Sequence, residues 1–557
     1  MATTPSLTGS GITRRGLLAG ALAGAGSVAL FGCGPGGGAG SDRSTLTVAG
    51  QSDNLTQVFN PFVPNSAQGL TYANRGQGGF IYEPLVQINV VAIGKDIPWL
   101  AKSWAWSDGN KKLTLKLQSG VKWTDGKPFS ADDVVFTYEM LKKYPAINLL
   151  GVTFSTVTAP SPTDIVFEFA TPSQQDFTNI VSVPIVSKHI WSKAEDPTTY
   201  TDKNPVGTGP FKLSDFSAQS FLLVRNEDYW QPKAKIKGLR FIAFKDNESM
   251  TNALVQGQAD WGGTYIANAQ KTYLARDSHN HYWAPITGTD GLIPNLTRWP
   301  LSDVAVRRAI SLGVNRKQVG AATGSPPATS VTGLPMPAYT SQISPAFKNV
   351  NYRQDTAKAE KTLTDAGYKK AGDGYYHKDG KRLEFSISFP SAYTDIAARV
   401  QVLVSQLKDI GIKLNIDTTT VTDINTVTAT GKFDSTMGYP VDSAPRAFSY
   451  YNDTINPNLA YPIGKATPSM QNIQRFKNPE AASLFKEYPN ATTDAQRQQI
   501  LDKLETIFAD NLPWIPMFYW GTYGNWSTAK VTGFPSPQDP YFSPVPNPVV
   551  ALRLKPV

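Results

Sequence analysis

Four histidines and one cysteine are all that a chain of 557 residues offers for metal or thiol chemistry. The cysteine, Cys33, closes an apolar N-terminal run with no neighbouring histidine in sequence, so nothing there would activate it as a nucleophile. His279 and His281 form an H-x-H pair beside Asp277. A metal site would need further ligands, and a polar loop accounts for these three as they stand. His189 and His377 are isolated. Gly207-Thr208-Gly209-Pro210 resembles a phosphate loop only until Pro210, which lacks an N–H, and a tight turn is the simpler reading. The chain contains neither a G-x-S-x-G elbow nor a G-x-x-x-x-G-K-[ST] loop. Paired glycosidase carboxylates leave no mark in spacing, but the acids here sit mostly at turns and helix starts, where structure explains them. No cofactor, metal or catalytic residue is expected, and the chain reads as a non-enzyme.

Rings are the abundant chemistry: 11% of residues are aromatic, including 12 Trp and 23 Tyr. The run Trp514, Phe518, Tyr519, Trp520, Tyr523 and Trp526 would make a stacking platform, as would Trp261 or Trp299. Most such rings are expected in the core, because aromatics dominate ordinary cores too. The formal charge of +9 comes from 53 basic and 44 acidic residues with no dense basic run, so nucleic acid is not an expected partner. One cysteine excludes an internal disulfide, a Cys-based zinc site or an iron–sulfur cluster.

These residues must be positioned by a body that follows an export signal. Thr13-Arg14-Arg15-Gly16-Leu17-Leu18 is a twin-arginine segment leading into a weakly apolar run that ends at Phe31-Gly32-Cys33. It is short and glycine-rich for a membrane span. Residues 1–32 are read as a signal peptide resembling that of a bacterial lipoprotein, which makes Cys33 the lipidated residue and 33–44 a flexible tether. The expected location is extracytoplasmic, anchored at the outer face of the cytoplasmic membrane.

The body is mixed α and β. Leu113, Leu115 and Leu117 alternate, as do Ile165, Phe167 and Phe169, and Leu222 with Val224. Ser130 opens a helix bearing Val134, Val135, Tyr138 and Leu141. Arg307 and Arg308 oppose the apolar face of a helix after Ser302. Thr394 precedes Ile396, Val400, Leu403, Leu407 and Ile410, closed by Gly411, before Ile412, Leu414 and Ile416 alternate. Thr493 and Gln496 form a capping box, and Pro535–Pro548 reads as an extended surface segment.

Several stretches are more specific. They include Ile81-Tyr82-Glu83-Pro84-Leu85-Val86, Trp99-Leu100-Ala101-Lys102-Ser103-Trp104, and Gly120-Val121-Lys122-Trp123-Thr124-Asp125-Gly126-Lys127-Pro128-Phe129. Pro205 to Phe211, Asn226 to Trp230, Asp303 to Ile310 and Pro513-Trp514-Ile515-Pro516 follow in order. Together they resemble the family 5 extracellular solute-binding proteins, the oligopeptide- and dipeptide-binding components of ABC importers. The resemblance implies an α/β, two-lobed periplasmic-binding-protein-like fold (class II, cluster C type) with an extra N-terminal subdomain at about 80–205. Lobe I would span 45–288 and return at 510–557, and lobe II would fill 289–509. It implies a monomer whose partners are a short peptide or an oligosaccharide and the ABC permease subunits. In relatives a second-lobe aspartate pairs with the ligand's α-ammonium in a Gly-aromatic-x-x-Asp context. Gly438-Tyr439-Pro440-Val441-Asp442 matches that context, which nominates Asp442 with Tyr439; a turn aspartate is the bland alternative. Phe59 lies where a first-lobe loop of relatives approaches the ligand, and Trp261, Trp299, Tyr519 and Trp520 are the candidate stacking rings. Peptide is the first expected ligand and a cello-oligosaccharide or β-glucan fragment the second. A secreted hydrolase and a surface chaperone or adhesion protein are the readings from other classes.

Overall fold

The structure, a computed structural model, describes residues 44–557 apart from 53–54, 64–65, 68–77, 439–445, 468–470 and 492. Arg14, Arg15, Cys33, Tyr439 and Asp442 lie outside the described residues. Among the described residues no helix is long and apolar enough to cross a membrane.

Two sheets carry the two lobes. The first is built from β1 (Thr45–Gln51), β2 (Phe211–Phe216), β3 (Ser220–Arg225), β4 (Gly238–Phe244), β5 (Trp261–Gly262) and β6 (Asn280–Trp283). The chain then crosses into β7 (Ile286–Pro294), which joins β8 (Glu384–Pro390), β9 (Lys413–Thr419), β10 (Ser435–Gly438) and β11 (Ile515–Gly521) in the second. It returns as β12 (Gly524–Ser527). The orders are β6-β12-β5-β1-β4-β3-β2 and β9-β8-β10-β7-β11. The return therefore comes later than the expected residue 510. Ile515–Gly521 is buried almost throughout, as a strand covered on both faces must be, and it pairs with β7 before the chain re-enters the first sheet at Gly524.

The extra subdomain is an antiparallel four-stranded sheet, Ala101–Ser107, Lys112–Leu117, Asp164–Glu168 and Thr156–Ser161 in spatial order. Leu113, Leu115, Leu117, Ile165 and Phe167 form its inner face. Helix α1 (Ala131–Lys143) covers it, begun where Asp133 accepts the Ser130 N–H at 2.9 Å. Three of the distinctive motifs converge on one buried carboxylate. Glu83 accepts from Trp99 Nε1 (2.7 Å), the Tyr229 hydroxyl (2.6 Å) and Trp230 Nε1 (3.0 Å). Burial pushes its carboxyl up to about 7 against the pull of these donors. The Gly-Thr-Gly-Pro segment is a packing joint: a Cβ on Gly207 would lie 1.9 Å from the Ile81 carbonyl oxygen, and one on Gly209 2.3 Å from that of Phe80.

In the second lobe, α2 (Thr394–Asp409) ends before Gly411 at φ +73°, the left-handed geometry that favours glycine. Helices α3 (Ala447–Ile455) and α4 (Asp494–Asn511) follow, the latter opened by the Thr493–Gln496 capping box. Three expectations are corrected. Phe221 and Leu223, rather than Leu222 and Val224, face the core of β3, a one-residue slip that inverts the strand. Arg307 is buried and donates to the carbonyls of Leu301, Asn511 and Leu512 at 2.7–2.9 Å, where a cation complements the C-terminus of α4. Residues 542–548 of the proline-rich end are interior, with Pro544 O accepting the Trp261 indole at 2.8 Å.

Candidate functional site

Strand register locates the cleft. Gly524 of β12 pairs with Trp283, the last residue of β6, and Gly521 of β11 pairs with Ile286, the first of β7. The two crossovers, 284–285 and 522–523, thus run side by side, and a Cβ on Gly521 would stand 2.3 Å from the Pro285 carbonyl oxygen. In the first sheet β1 is parallel to β4 and β5, and Gly262 at the end of β5 pairs with Asn525 at the start of β12. In the second, β8 is parallel to β9 and β10, and Gly438 at the end of β10 pairs with Gly291 on the hinge side of β7. The carboxyl ends of both parallel sets therefore point toward the crossovers, and so toward one another. That is where open α/β sheets receive ligands.

The loops leaving those ends meet in one cluster. Tyr265 follows β5, Tyr282 lies in β6, and Tyr523 lies in the second crossover; the Tyr523 ring is 5.6 Å from that of Tyr265 and 6.1 Å from that of Tyr282. From the second lobe comes Arg399, fully buried on α2. It donates to Thr323 Oγ1 (2.8 Å), Ser325 Oγ (3.1 Å), the Tyr523 hydroxyl (3.4 Å) and Asp395 Oδ2 (3.3 Å), with Phe518 under its plane. Asp290 of β7 completes the group at 3% exposure, and its Oδ1 has no hydrogen-bond partner among the described residues. Burial raises its carboxyl to about 7; Asp395 adds to the rise, while Arg399 opposes it. Burial also raises the phenols of Tyr265, Tyr282 and Tyr523, which stay neutral at physiological pH.

A second set of groups links the lobes. Ile93 packs against the core formed by α3 and α4. Asp96 is raised by burial and pulled back by the Asn89 N–H and by Arg446, which precedes α3. Asp176, in a turn of the extra subdomain, is raised to about 6 by burial, and Asp453 of α3 adds to that rise. Among the described residues no three His, Cys, Asp or Glu are placed to hold a metal ion.

The candidate rings fall in different places. Phe59 is fully enclosed, edge-on to Phe216 and Phe221. Trp261 is equally enclosed, against Phe534. The Tyr519 hydroxyl accepts the N–H groups of Thr329 and Ser330 at 3.1 and 3.2 Å within the second lobe. Trp299 is 41% exposed, with the Lys381 ammonium 5.8 Å from its ring. Trp520 is half-buried next to the second crossover, near Gly288. Of the run from Trp514 to Trp526, only Trp520 and Tyr523 keep appreciable surface. The floor cluster joins Tyr523 from that run to Tyr265, Tyr282, Asp290, Asp395 and Arg399, which no local pattern singled out, since these last come from four separate stretches of chain.

Comparison with known proteins agrees with this architecture. Residues 96–458 match the family "Bacterial extracellular solute-binding proteins, family 5 Middle". The oligopeptide-binding protein OppA of Bacillus subtilis is 23% identical over 498 residues, covering 84% of this chain and 87% of its own. A periplasmic oligopeptide-binding protein of an oligopeptide ABC transporter from Thermotoga maritima superposes with a TM-score of 0.83 at 25% identity, covering 93% of this chain and 100% of that one. Its mannohexaose-bound form superposes at 0.79, with 25% identity over 92% and 99% of the two chains. A family match spanning most of the chain, on a two-sheet body hinged at two crossovers, establishes that this protein belongs to the bacterial extracellular solute-binding proteins, family 5.

Proposed function

We propose that the protein is the extracytoplasmic receptor of an ABC importer, which holds a short peptide between its lobes and presents it to the permease without breaking a bond in it. The observation that carries this reading is the pair of carboxyl-end loop sets facing one another across only two crossovers, the geometry of a hinge around a guest. Closure then draws its free energy from contacts the ligand makes with both lobes at once. Asp442, which follows β10 in sequence, is proposed as the anchor of the peptide's α-ammonium, and Tyr439 as a further ligand contact. Cys33 is proposed as the lipidated residue that holds a monomer at the outer face of the cytoplasmic membrane after twin-arginine export.

An oligosaccharide is the second reading, favoured by the T. maritima relative solved with mannohexaose and by the tyrosines at the cleft floor. Titration calorimetry with tri- to hexapeptides and with mannohexaose, read beside small-angle scattering, separates the two. Peptide binding with a reduced radius of gyration is expected. Binding and compaction with mannohexaose alone would replace peptide by glycan, and turnover of either would overturn the receptor reading.

A further inference from the structure

We propose that Tyr265, Tyr282 and Tyr523, with Asp290 and Asp395 near them, form a subsite on the cleft floor for a cationic, lysine-type side chain of the ligand. The inference deepens the peptide reading and rests on it. Three neutral phenols from the first lobe and the crossover gather about the Tyr523 ring, and aromatic faces attract cations most strongly where water is excluded. Behind them two carboxylates stand against one guanidinium, so the ionised group carries one net negative charge. Arg399 directs its N–H groups to Thr323, Ser325, Tyr523 and Asp395. Asp290 is left with an oxygen that has no partner among the described residues, although it is almost wholly buried. A buried carboxylate oxygen without a donor is costly, and a ligand N–H supplies that donor. A glycan hydroxyl could fill the same hydrogen bond but would leave the charge uncompensated.

The charged and titratable groups around Asp290 are Arg399 and Asp395 on α2 and Tyr523 in the crossover. With its carboxyl held near 7 in the empty protein, Asp290 is partly protonated at neutral pH. An arriving cation favours the carboxylate and expels that proton, whereas a neutral ligand does not.

The test is titration calorimetry of the intact protein with trilysine and trialanine at neutral pH, in two buffers of different ionisation heat. Trilysine is expected to bind about tenfold more tightly than trialanine, as charge-assisted contacts in a desolvated site allow, and to release a fraction of a proton. Asp290→Asn should abolish the release and most of the preference, and Tyr282→Leu should reduce the preference while leaving the release. Both variants are checked for folding by thermal melting. Peptide binding with no charge preference, or with proton release unchanged in Asp290→Asn, overturns the subsite alone. Binding of mannohexaose with none of either peptide overturns the peptide reading and the subsite with it.

Discussion

At the scale of single residues, Asp290 sits in an environment that a stable fold alone would avoid. Burial pushes its carboxyl up to about 7 from the ordinary 3.8, so between those values the folded chain binds the extra proton. Stability from this group is fully present below the lower value and is lost as pH rises through the higher one. Asp290→Asn removes that loss, so the melting temperature of the variant should gain on the wild type between about pH 4 and pH 8, as followed by circular dichroism. A melting difference independent of pH would remove the titration from Asp290. Asp442→Asn should weaken peptide binding by about 2 kcal/mol or more if the anchor pair is desolvated, measured by calorimetry; unchanged affinity would take Asp442 out of the site. Asp442 could be nominated from sequence because its Gly-aromatic-x-x-Asp context is local. Asp290 could not, because a lone acid among Thr and Gly residues carries meaning only once α2 brings Arg399 and Asp395 near it.

At the scale of elements, the crossovers are the working parts. Gly521 permits two strands to touch: any side chain there would press on the carbonyls of Ala284 and Pro285 at 2.8 and 2.3 Å. Gly521→Ala should cost about 1–3 kcal/mol by overpacking, seen as a lowered denaturation midpoint, and should weaken ligand-induced compaction in scattering. Compaction and stability both equal to wild type would show that the crossovers are not tightly apposed in solution. Periodicity revealed most elements, including α1, α2 and the alternating strand Lys112–Leu117. It failed for β3, where Phe221, Leu222, Leu223 and Val224 are all apolar and only the sheet decides which pair faces inward. It failed also for the proline-rich end, whose composition suits a surface but whose Phe542 lies in the first-lobe core and whose Val545 is buried.

At the scale of the molecule, the proposed lipid anchor and the proposed cleft closure call for separate tests. Cys33→Ser should release the protein into the soluble fraction with its melting temperature unchanged, because Cys33 precedes the body that begins at β1; retention in the membrane fraction would count against lipidation. By itself the sequence determined the family, the scarcity of metal and thiol chemistry, and the motifs that converge on Glu83, because each depends on residue types at short range. Only the tertiary structure decided where the first sheet is re-entered, which aromatic rings are core, and which groups meet at the cleft floor. Those outcomes depend on strands and helices distant in the chain lying side by side, and spacing along the chain does not encode such adjacency.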